Sequence, residues 1–345
     1  MESAIPDHLR TERTRHRRIS DDYRPPVPAY SARFKPAAHR AVMAYFGLQY
    51  LGAEPPAVAA VLSWLSDRCI EASGPSHWDR ARFVDGAGYD NIIMAVYWSD
   101  VAAFDRWLAS VRDRWLDPPS GIGVFLEAVR PTQERYETLF SSLGRPEGVA
   151  VLADGLSGEV QEHGYWGGMR DRIALSQTCD LAPSGELRES RSGGRVRIHG
   201  HDNLCLIRSG QDWGDAEDDE RQMYLTDVEP VLRQGMDFLR DNGREIGCYA
   251  NRYVGASSRE GEPLCKSYGM SWWRSLEALE RWAESHPTHV AIFGAAMKYL
   301  STRGPGAKLR LYHEVTVVRA DEQLFEYAGC HGGTGLLNGI PTSAD

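Results

Sequence analysis

The sequence contains an internal repeat, and this feature limits the folds open to the chain more than any other. Residues 98–107 align without gaps on residues 273–282, with a tryptophan at both ends of each segment. In both copies the first, fourth and seventh positions are apolar, as along one stripe of an amphipathic helix, and an acid and an arginine precede the second tryptophan. We therefore predict a duplicated chain in which this helix covers the core of each half.

The segments around the repeated helix occur in the same order in both halves. Each half is predicted to run strand, helix, strand, strand, helix, strand, which is the order of the ferredoxin-like split βαβ unit. The flanking segments are 42–50, 57–69, 82–84, 92–97 and 124–129 in the first half, and 204–211, 228–241, 252–254, 267–272 and 311–316 in the second. Two antiparallel sheets with apolar faces bury those faces most simply against each other. The predicted fold class is α+β, with duplicated ferredoxin-like halves forming an α+β barrel.

Outside the repeat, the chain divides into an arm, two insertions and a tail. We predict an N-terminal arm over 1–40, a first half over 41–143, an insertion over 144–200, a second half over 201–330 and a tail over 331–345. The second insertion, 286–308, separates the repeated helix from the last strand of the second half. The first half has no counterpart to it, which indicates that it serves something other than the fold.

Composition excludes several classes of protein and partner. The 345 residues are 42% hydrophobic and 25% charged, as in ordinary globular domains, and no apolar run reaches the length of a membrane span. A net charge of -9 repels nucleic acid, so we expect neither nucleic acid nor membrane as a partner. Six scattered cysteines without a C-x-x-C pair favour a reducing compartment, and we expect a cytoplasmic protein. The arginines within residues 10–18 precede no apolar stretch, so we interpret them as part of a solvated arm and not as a signal peptide.

The second insertion is predicted to contain a helix that begins near Pro287, because a proline that closely follows Ser285 is typical of a helix start. The residues up to Leu300 are apolar nearly all round, so this helix should be buried or should wall an apolar ligand. His289 lies in the first turn, where the helix dipole favours the neutral imidazole that can bind a metal. A core or capping role is the alternative. His286 is a weaker metal ligand, because the intervening proline disturbs the shared helical face and no H-E-x-x-H glutamate is present.

Four further residues are candidates for chemistry, and each has an ordinary alternative. His313 alternates with apolar residues on the last strand, so it points into an interior where an imidazole needs a partner or a ligand. A structural bond to a backbone carbonyl would also satisfy it. Ser209 ends a strand, where its hydroxyl either faces a cavity or belongs to a turn. Arg172 and Glu137 would by default be solvated surface charges.

Long segments, more than short motifs, carry the clearest indication of function. They are 163–172 (HGYWGGMRDR), 200–213 (GHDNLCLIRSGQDW), 236–243 (MDFLRDNG), 284–289 (ESHPTH) and 309–315 (LRLYHEV). Together they closely resemble segments of the bacterial aldoxime dehydratases, which are haem b enzymes that convert an aldoxime, R–CH=N–OH, into a nitrile and water. The resemblance runs from residues 1–5 to the C-terminal region, and the fold of that family is also a duplicated ferredoxin-like one.

The resemblance implies a cofactor and a role for each candidate residue. The cofactor would be haem b, ferrous in the active form, with His289 as the proximal iron ligand. The iron would bind the oxime nitrogen while His313, the distal histidine, protonates the leaving hydroxyl and then accepts the carbon-bound proton. Ser209 and Arg172 would hold that hydroxyl in line, and Glu137 would assist. The chain would thus be a lyase.

Two alternatives remain open at this point. One is another haem reaction on the same barrel, such as peroxidase or chlorite chemistry or an N–O or N–N rearrangement. The other is a non-catalytic haem-binding sensor. For a dehydratase, the partners to expect are an aldoxime substrate, a second copy of the chain in a homodimer and a downstream nitrile-degrading enzyme.

The chain departs from the family pattern at two places that bear on substrate size. The inserted helix carries Gly294, Ala295 and Ala296 where bulkier residues are usual, and the loop 301–308 is longer than the family norm. Small residues in the wall of a pocket open volume beside the haem unless neighbours collapse into it. We therefore expect arylaliphatic aldoximes such as phenylacetaldoxime to be better substrates than acetaldoxime.

Overall fold

The computed structural model describes residues 1–340 and contains two similar α+β halves joined by a long segment. The arm and the first half contain β1 (Ala32–Arg33), β2 (Val42–Leu51), α1 (Ala57–Cys69), β3 (His77–Val84), β4 (Tyr89–Trp98), α2 (Val101–Trp115) and β5 (Gly123–Val129). The joining segment contains β6 (Tyr136–Phe140), β7 (Gly155–Leu156), α3 (Gly168–Arg172), β8 (Arg188–Ser192) and β9 (Arg195–His199). Short 3-10 turns connect several of these elements.

The second half repeats the order of the first and adds helices. It contains β10 (Leu204–Asp212), α4 (Asp218–Met223), a π-helical turn (Tyr224–Val228), α5 (Glu229–Asn242), β11 (Cys248–Ser257), β12 (Pro263–Trp273), α6 (Leu276–Ser285), α7 (Pro287–Arg303), β13 (Arg310–Val318) and β14 (Gln323–Ala328). The predicted order of strand, helix, strand, strand, helix, strand is present in both halves, so the predicted fold class is confirmed.

The two four-stranded sheets are continuous with each other. Within residues 1–340, twelve strands follow the order β6-β13-β10-β12-β11-β3-β4-β2-β5-β14-β9-β8. The halves meet where β11 pairs with β3, and this pairing extends over three positions, from Gly255 to Ser257. In comparison, β2 and β4 pair over ten positions. The sheet curls so that residues of both halves face one interior.

Each half also gives one strand to the sheet of the other half. β6 follows β5 along the chain but pairs with β13, and β14 follows β13 but pairs with β5. The exchange is reciprocal, and it places Glu137 on a strand at the edge of the second-half sheet. A residue from the end of the first repeat therefore lies beside the strands of the second.

Apolar residues divide between the inside of the curled sheet and the helices outside it. Inside, Tyr45 and Ile93 of the first half belong to the same buried cluster as Met270 and Trp272 of the second. Outside, α1 and α2 cover the first half, and α5 and α6 cover the second. The repeated tryptophans, Trp107 and Trp282, point into these outer clusters and are buried.

The repeated helix has a side-chain cap at its start in both halves. The Asp100 carboxylate accepts a hydrogen bond from the Ala102 backbone N–H, and the Ser275 hydroxyl oxygen accepts one from the Ala278 backbone N–H. Such caps satisfy backbone donors that the first helical turn leaves free. The helix therefore begins at the same place in both copies of the repeat.

The N-terminal arm lies across the body of the protein, but two of the arginines within residues 10–18 are less solvated than their sequence predicts. Arg17 pairs with the buried Glu162, and Arg13 donates to the backbone carbonyl of Asp171. Both arginines are half-buried, because each satisfies an acceptor on the body. The predicted C-terminal tail is described as far as residue 340, and its last five residues lie outside the described part of the chain.

Within residues 1–340, no helix has both the length and the apolar character that crossing a bilayer requires.

Candidate active site

The outer face of the second-half sheet carries His313 and Ser209 side by side. Ser209 on β10 pairs with His313 on β13, and on its other side it pairs with Gly269 on β12. Residues that pair directly across an antiparallel sheet share one face. This face is the outer one, because Val315 lies two residues from His313 and belongs to the cluster beneath α5 and α6. His313, Ser209 and Gly269 therefore form one row on the helix-covered side.

The corresponding row in the first half consists of three bulky apolar residues. There Phe46 on β2 pairs with Met94 on β4 and with Leu126 on β5. All three are buried, and Phe46 packs against Trp107 and Trp115 with ring centroids 5.4 and 5.5 Å apart. The second half has replaced this packed row with histidine, serine and glycine. The replacement removes the side chains that would fill the space between sheet and helices.

Arg172 and Glu137 join His313 in a compact cluster. Arg172 Nε donates to Glu137 Oε2 at 2.6 Å, and Arg172 Nη2 donates to Glu137 Oε1 at 3.0 Å. His313 Nε2 lies 2.7 Å from Arg172 Nη2 and 3.0 Å from Glu137 Oε1. The default expectation that Arg172 and Glu137 are solvated is wrong, because their side chains are 3% and 1% exposed. Buried charges persist in proteins when they are paired in this way.

The electrostatics of the cluster keep Glu137 ionised. Burial raises the pKa of the Glu137 carboxyl, but the charges of Arg172 and His313 and their hydrogen bonds outweigh burial, so this pKa lies below its usual range. The ionised carboxylate can therefore pair with the guanidinium of Arg172 and with a protonated ring of His313.

The ring of His313 has one nitrogen engaged and one free. Nε2 faces Arg172 and Glu137, whereas no residue of the described chain hydrogen-bonds Nδ1. The side chain is 22% exposed, so part of the ring is open to a ligand. The Ser209 hydroxyl, in the same row, also has no hydrogen-bond partner within residues 1–340, and the residue is half-buried. Two polar groups in the row are thus available to a bound molecule.

His289 lies in the first turn of α7, as predicted, and two indole rings flank it. Its ring centroid lies 5.7 Å from that of Trp166 and 4.6 Å from that of Trp282. Burial lowers the pKa of His289 more than the backbone carbonyl of Ala283 raises it. The ring is therefore neutral at pH 7 and keeps a lone pair for a metal. His286 instead caps α7, because its Nδ1 accepts a hydrogen bond from the Thr288 backbone N–H.

The helix α7 is not buried. Of its two predicted environments, burial in the core is therefore wrong, and a wall for an apolar ligand stays a prediction. Within α7, all of which is described, Tyr299 is the one buried residue. Val290, Phe293 and Met297 expose 49%, 45% and 38% of their surface. Phe293 and Met297 lie one and two turns from His289, on neighbouring positions of the helix surface. An apolar surface beside a neutral histidine is what an apolar ligand needs for a wall.

These residues fit a haem group. Within residues 1–340 no three His, Cys, Asp or Glu side chains gather as a metal site. Haem brings its own porphyrin ligands, so one histidine from the protein can hold the iron. His289 supplies the neutral imidazole, the face of α7 supplies apolar surface, and Ser209 and His313 present free polar groups where the first half has Phe46 and Leu126. A phenylalanine in place of Ser209, as in the first half, would crowd these polar groups.

A large groove lies elsewhere among the described residues. It has a volume of about 670 Å³ and runs between α5 and the seam of β11 with β3, lined by residues such as Arg233, Tyr253 and Phe83. None of the five predicted site residues lines it. The arrangement of reactive side chains, and not the size of a groove, therefore locates the site.

Sequence reasoning missed three residues that shape the site. The gapless repeat aligns Gly269 with Met94. The alignment therefore shows that the second half lacks a side chain at this position. A Cβ on Gly269 would lie 2.8 Å from Met236 Sδ, so the position has no space for one. Trp166 and Glu162 lie in a loop without periodicity, so no local pattern indicates their contacts.

Comparison with known proteins places the chain in a family. The model of the haem-containing dehydratases matches residues 44–336. The chain is 45% identical to an aliphatic aldoxime dehydratase of Rhodococcus globerulus, over 100% of both chains. It is 33% identical to a phenylacetaldoxime dehydratase of a Bacillus species, over 92% of this chain and 93% of that one.

Solved structures agree with the sequence comparisons. A crystal structure of an aldoxime dehydratase matches with a TM-score of 0.93 and 45% identity over 100% of both chains. A second, in complex with butyraldoxime, matches with a TM-score of 0.92 and 44% identity over 99% of this chain and 97% of that one. The resemblance inferred from the five segments is confirmed. The chain belongs to the haem-containing dehydratase family.

Proposed function

We propose that this protein is a lyase that dehydrates aldoximes to nitriles, with haem b as its cofactor. One observation carries the proposal: the partly exposed His313 contacts the buried Arg172–Glu137 pair and lies in a row where the first half has packed apolar side chains. The family assignment and the aldoxime dehydratases to which the chain is similar support the same reaction.

In this proposal His289 would hold the iron through a ring nitrogen. Its depressed pKa keeps the imidazole neutral, and its flanking rings, Trp166 and Trp282, fix the orientation of the ring. When bound, ferrous haem would supply an iron that can bind the oxime nitrogen and donate electron density that weakens the N–O bond. The exposed apolar residues of α7 exclude water from this side of the site.

His313 moves both protons of the reaction through Nδ1. As an imidazolium it donates the Nδ1 proton to the oxime oxygen, so that the hydroxyl leaves as water. Its Nε2 meanwhile lies 3.0 Å from Glu137 Oε1, whose negative charge offsets the charges of the imidazolium and of Arg172 Nη2, 2.7 Å from the same nitrogen. Loss of the first proton leaves the Nε2–H tautomer with a lone pair on Nδ1. That lone pair then accepts the proton from the oxime carbon, and the nitrile forms.

Arg172, Ser209 and Glu137 set the geometry for these transfers. The Ser209 hydroxyl, in the same row as His313, and the Arg172 guanidinium orient the leaving oxygen toward the imidazole. Glu137 pairs with Arg172 and with the protonated ring of His313, so it is a positioning residue that also stabilises the imidazolium. A bond that must break in line benefits from such fixed donors.

The proposal also covers the compartment, substrate and partners of the enzyme. All six cysteines are free thiols, which favours a reducing compartment, and we place the enzyme in the cytoplasm. The substrate is an aldoxime, as for the relative whose crystal structure holds butyraldoxime. A homodimer and a downstream nitrile-degrading enzyme remain the partners to test.

The test combines spectroscopy with turnover. Purified protein should show a haem Soret band that shifts on reduction with dithionite, and the reduced protein should form a nitrile from an aldoxime under anaerobic conditions. His313→Ala should keep haem while its kcat falls by about two to four orders of magnitude, the usual range for losing a positioned acid–base group. A protein without a Soret band would exclude every haem function. Wild-type turnover by His313→Ala would refute the proton-transfer role.

A further inference from the structure

The N-terminal arm is bound to the loop that leads into α3. Glu2 forms a parallel bridge with Val160, and the Gln161 backbone N–H donates to the Glu2 carbonyl at 3.1 Å. The arm is therefore part of the folded body at the point where the chain approaches Arg172. The arm and this loop are more than 150 residues apart in sequence, so only the tertiary structure brings them together.

Glu162 connects the arm to Arg172, because its side chain binds the arm and its backbone carbonyl binds Arg172. Its buried carboxylate accepts hydrogen bonds from the Ala4 backbone N–H at 2.8 Å, from the Ser3 hydroxyl at 3.1 Å and from Arg17 Nη1 at 3.2 Å. Its backbone carbonyl accepts from Arg172 Nη1 at 2.6 Å. The side chain of one residue thus holds the arm while its main chain holds the guanidinium.

The arm also binds Asp171, at the other end of the segment 162–172. Asp171, the residue before Arg172, accepts from the Arg18 backbone N–H at 3.2 Å and from the Tyr165 hydroxyl at 2.8 Å. Its own carbonyl accepts from Arg13 Nη2 at 3.1 Å. The segment that carries Arg172 is therefore fixed by arm residues at both ends.

A small cavity lies between the arm and the charged pair. Its volume is about 30 Å³, and Ala4 and Leu9 of the arm line it together with Glu137 and Arg172. A space of this size holds about two water molecules. Gln133 lines the same cavity, and its Nε2 is buried without a hydrogen-bond partner in the described chain. The arm thus closes the back of the Glu137–Arg172 pair against bulk solvent.

We propose that Glu162 is a positioning residue for the dehydration reaction, and that it transmits the docking of the N-terminal arm to Arg172. The inference rests on the proposed role of Arg172 at the leaving oxygen. Release of the arm frees the Glu162 carboxylate, the Glu162 carbonyl shifts, and Arg172 loses the third of its fixed acceptors. His313 Nε2, 2.7 Å from the guanidinium, then loses its alignment as well.

The experiment begins with the haem-loaded full chain and four single variants. Glu162→Gln and Arg17→Ala should each lower kcat about 10-fold with little change in KM, the order expected when a charge-assisted bond that aligns a reacting group is loosened. Arg17→Lys should restore most of kcat, because the ammonium can still pair with Glu162. Arg15→Ala is the matched control, since Arg15 is exposed in the same arm and its side chain makes no described hydrogen bond. Haem content should be unchanged in all four.

Two readouts separate positioning through Arg172 from general destabilisation. Hydrogen exchange should become faster in residues 1–18 and 162–172 of Glu162→Gln but not elsewhere. In the double variant Glu162→Gln/Arg172→Ala, kcat should equal that of Arg172→Ala, because Glu162 acts through that residue.

A contrary result at Glu162 and a contrary result at Arg172 have different consequences for this inference. Wild-type kcat in Glu162→Gln and Arg17→Ala, with Arg172→Ala impaired, would overturn this inference and leave the proposed function standing. Additive losses in the double variant would also overturn it. Wild-type kcat in Arg172→Ala would refute the role of Arg172 and with it the inference, whereas the dehydratase assignment depends separately on His313.

Discussion

Single residues matter most in this molecule where charge is buried. Glu137 and Arg172 are almost fully enclosed, and two hydrogen bonds join them. Removal of one partner from such a pair leaves the other charged in a poor solvent, which costs about 3–5 kcal/mol, although replacement of the whole pair by apolar residues is often neutral. The pair therefore contributes more to the alignment of His313 than to the net stability of the fold.

The pair leads to a prediction about stability and pH. Glu137→Gln should destabilise the protein by about 3 kcal/mol or more at pH 7, because it leaves the Arg172 charge without a counterion. The folded-state pKa of Glu137 is depressed, so its stabilisation is complete above its unfolded pKa and is lost as the pH falls through the folded value. Urea titrations at pH 7 and at pH values below about 4 should therefore show the gap between wild type and variant narrowing.

A surface pair provides the control for this prediction. Glu186 binds Arg274, but its side chain is 69% exposed, so Glu186→Gln should cost far less at pH 7. A gap for Glu137→Gln that stays constant down to low pH would show that its carboxylate does not carry the effect.

At the scale of elements, α7 carries the proposed iron ligand and contributes little to the packed core. It contributes one buried residue, and the first half folds without a counterpart. His289→Ala should therefore lose haem but keep its circular dichroism spectrum. His286→Ala is the neighbouring control: loss of the cap should cost about 1 kcal/mol of stability while haem is retained. Native haem ligation in His289→Ala would show that another residue holds the iron.

The three small residues of α7 also lead to a prediction about substrate size. A Cβ on Gly294 would meet no atom within 4 Å, and Ala295 and Ala296 are half-buried. A roomy apolar pocket favours larger groups by about 25 cal/mol per Å² of apolar surface buried. Reduced enzyme should therefore show a higher kcat/KM for phenylacetaldoxime than for acetaldoxime under anaerobic conditions. Ala296→Phe should reduce this preference, and a kcat/KM that falls steadily with size in the wild type would refute the enlarged pocket.

At the scale of the whole molecule, the first half is an internal reference for the second. Both have the same strands in the same register, but only the second presents histidine, serine and glycine in its central row. Glu137 also has a counterpart by register, Leu324 on β14, which packs against the first-half core. The duplication therefore allowed one half to keep its packing while the other acquired a site.

This reference leads to a prediction by exchange of residues. Ser209→Phe installs the residue that the first half has at the same register, Phe46, and its ring should occupy the space above the row. The variant should fold but bind little haem, as measured by the Soret absorbance per protein. Ser190→Phe, on the exposed strand β8, should bind haem normally. Full haem content in Ser209→Phe would show that the cofactor does not need this space.

The sequence could predict the repeat and the order of elements because hydrophobic periodicity is a local property. It could not predict the cluster of His313, Arg172 and Glu137 from pattern alone, since Arg172 lies 35 residues from one partner and 141 from the other. The family resemblance named these residues, and the tertiary fold supplies their distances. Neither the sequence pattern nor the family resemblance indicated Glu162. Its proposed role depends on its main-chain carbonyl, a group that every residue type has.

The reciprocal exchange of β6 and β14 suggests how such a chain arose. Two identical subunits that swap their last strands form a closed, symmetric dimer, and fusion of the two genes leaves each swapped strand in the sheet of the opposite half. The present chain has that connectivity, with β6 beside β13 and β14 beside β5. In a dimer of that kind the position of Glu137 lies at the interface between subunits, and fusion leaves two such interfaces whose sequences can diverge independently.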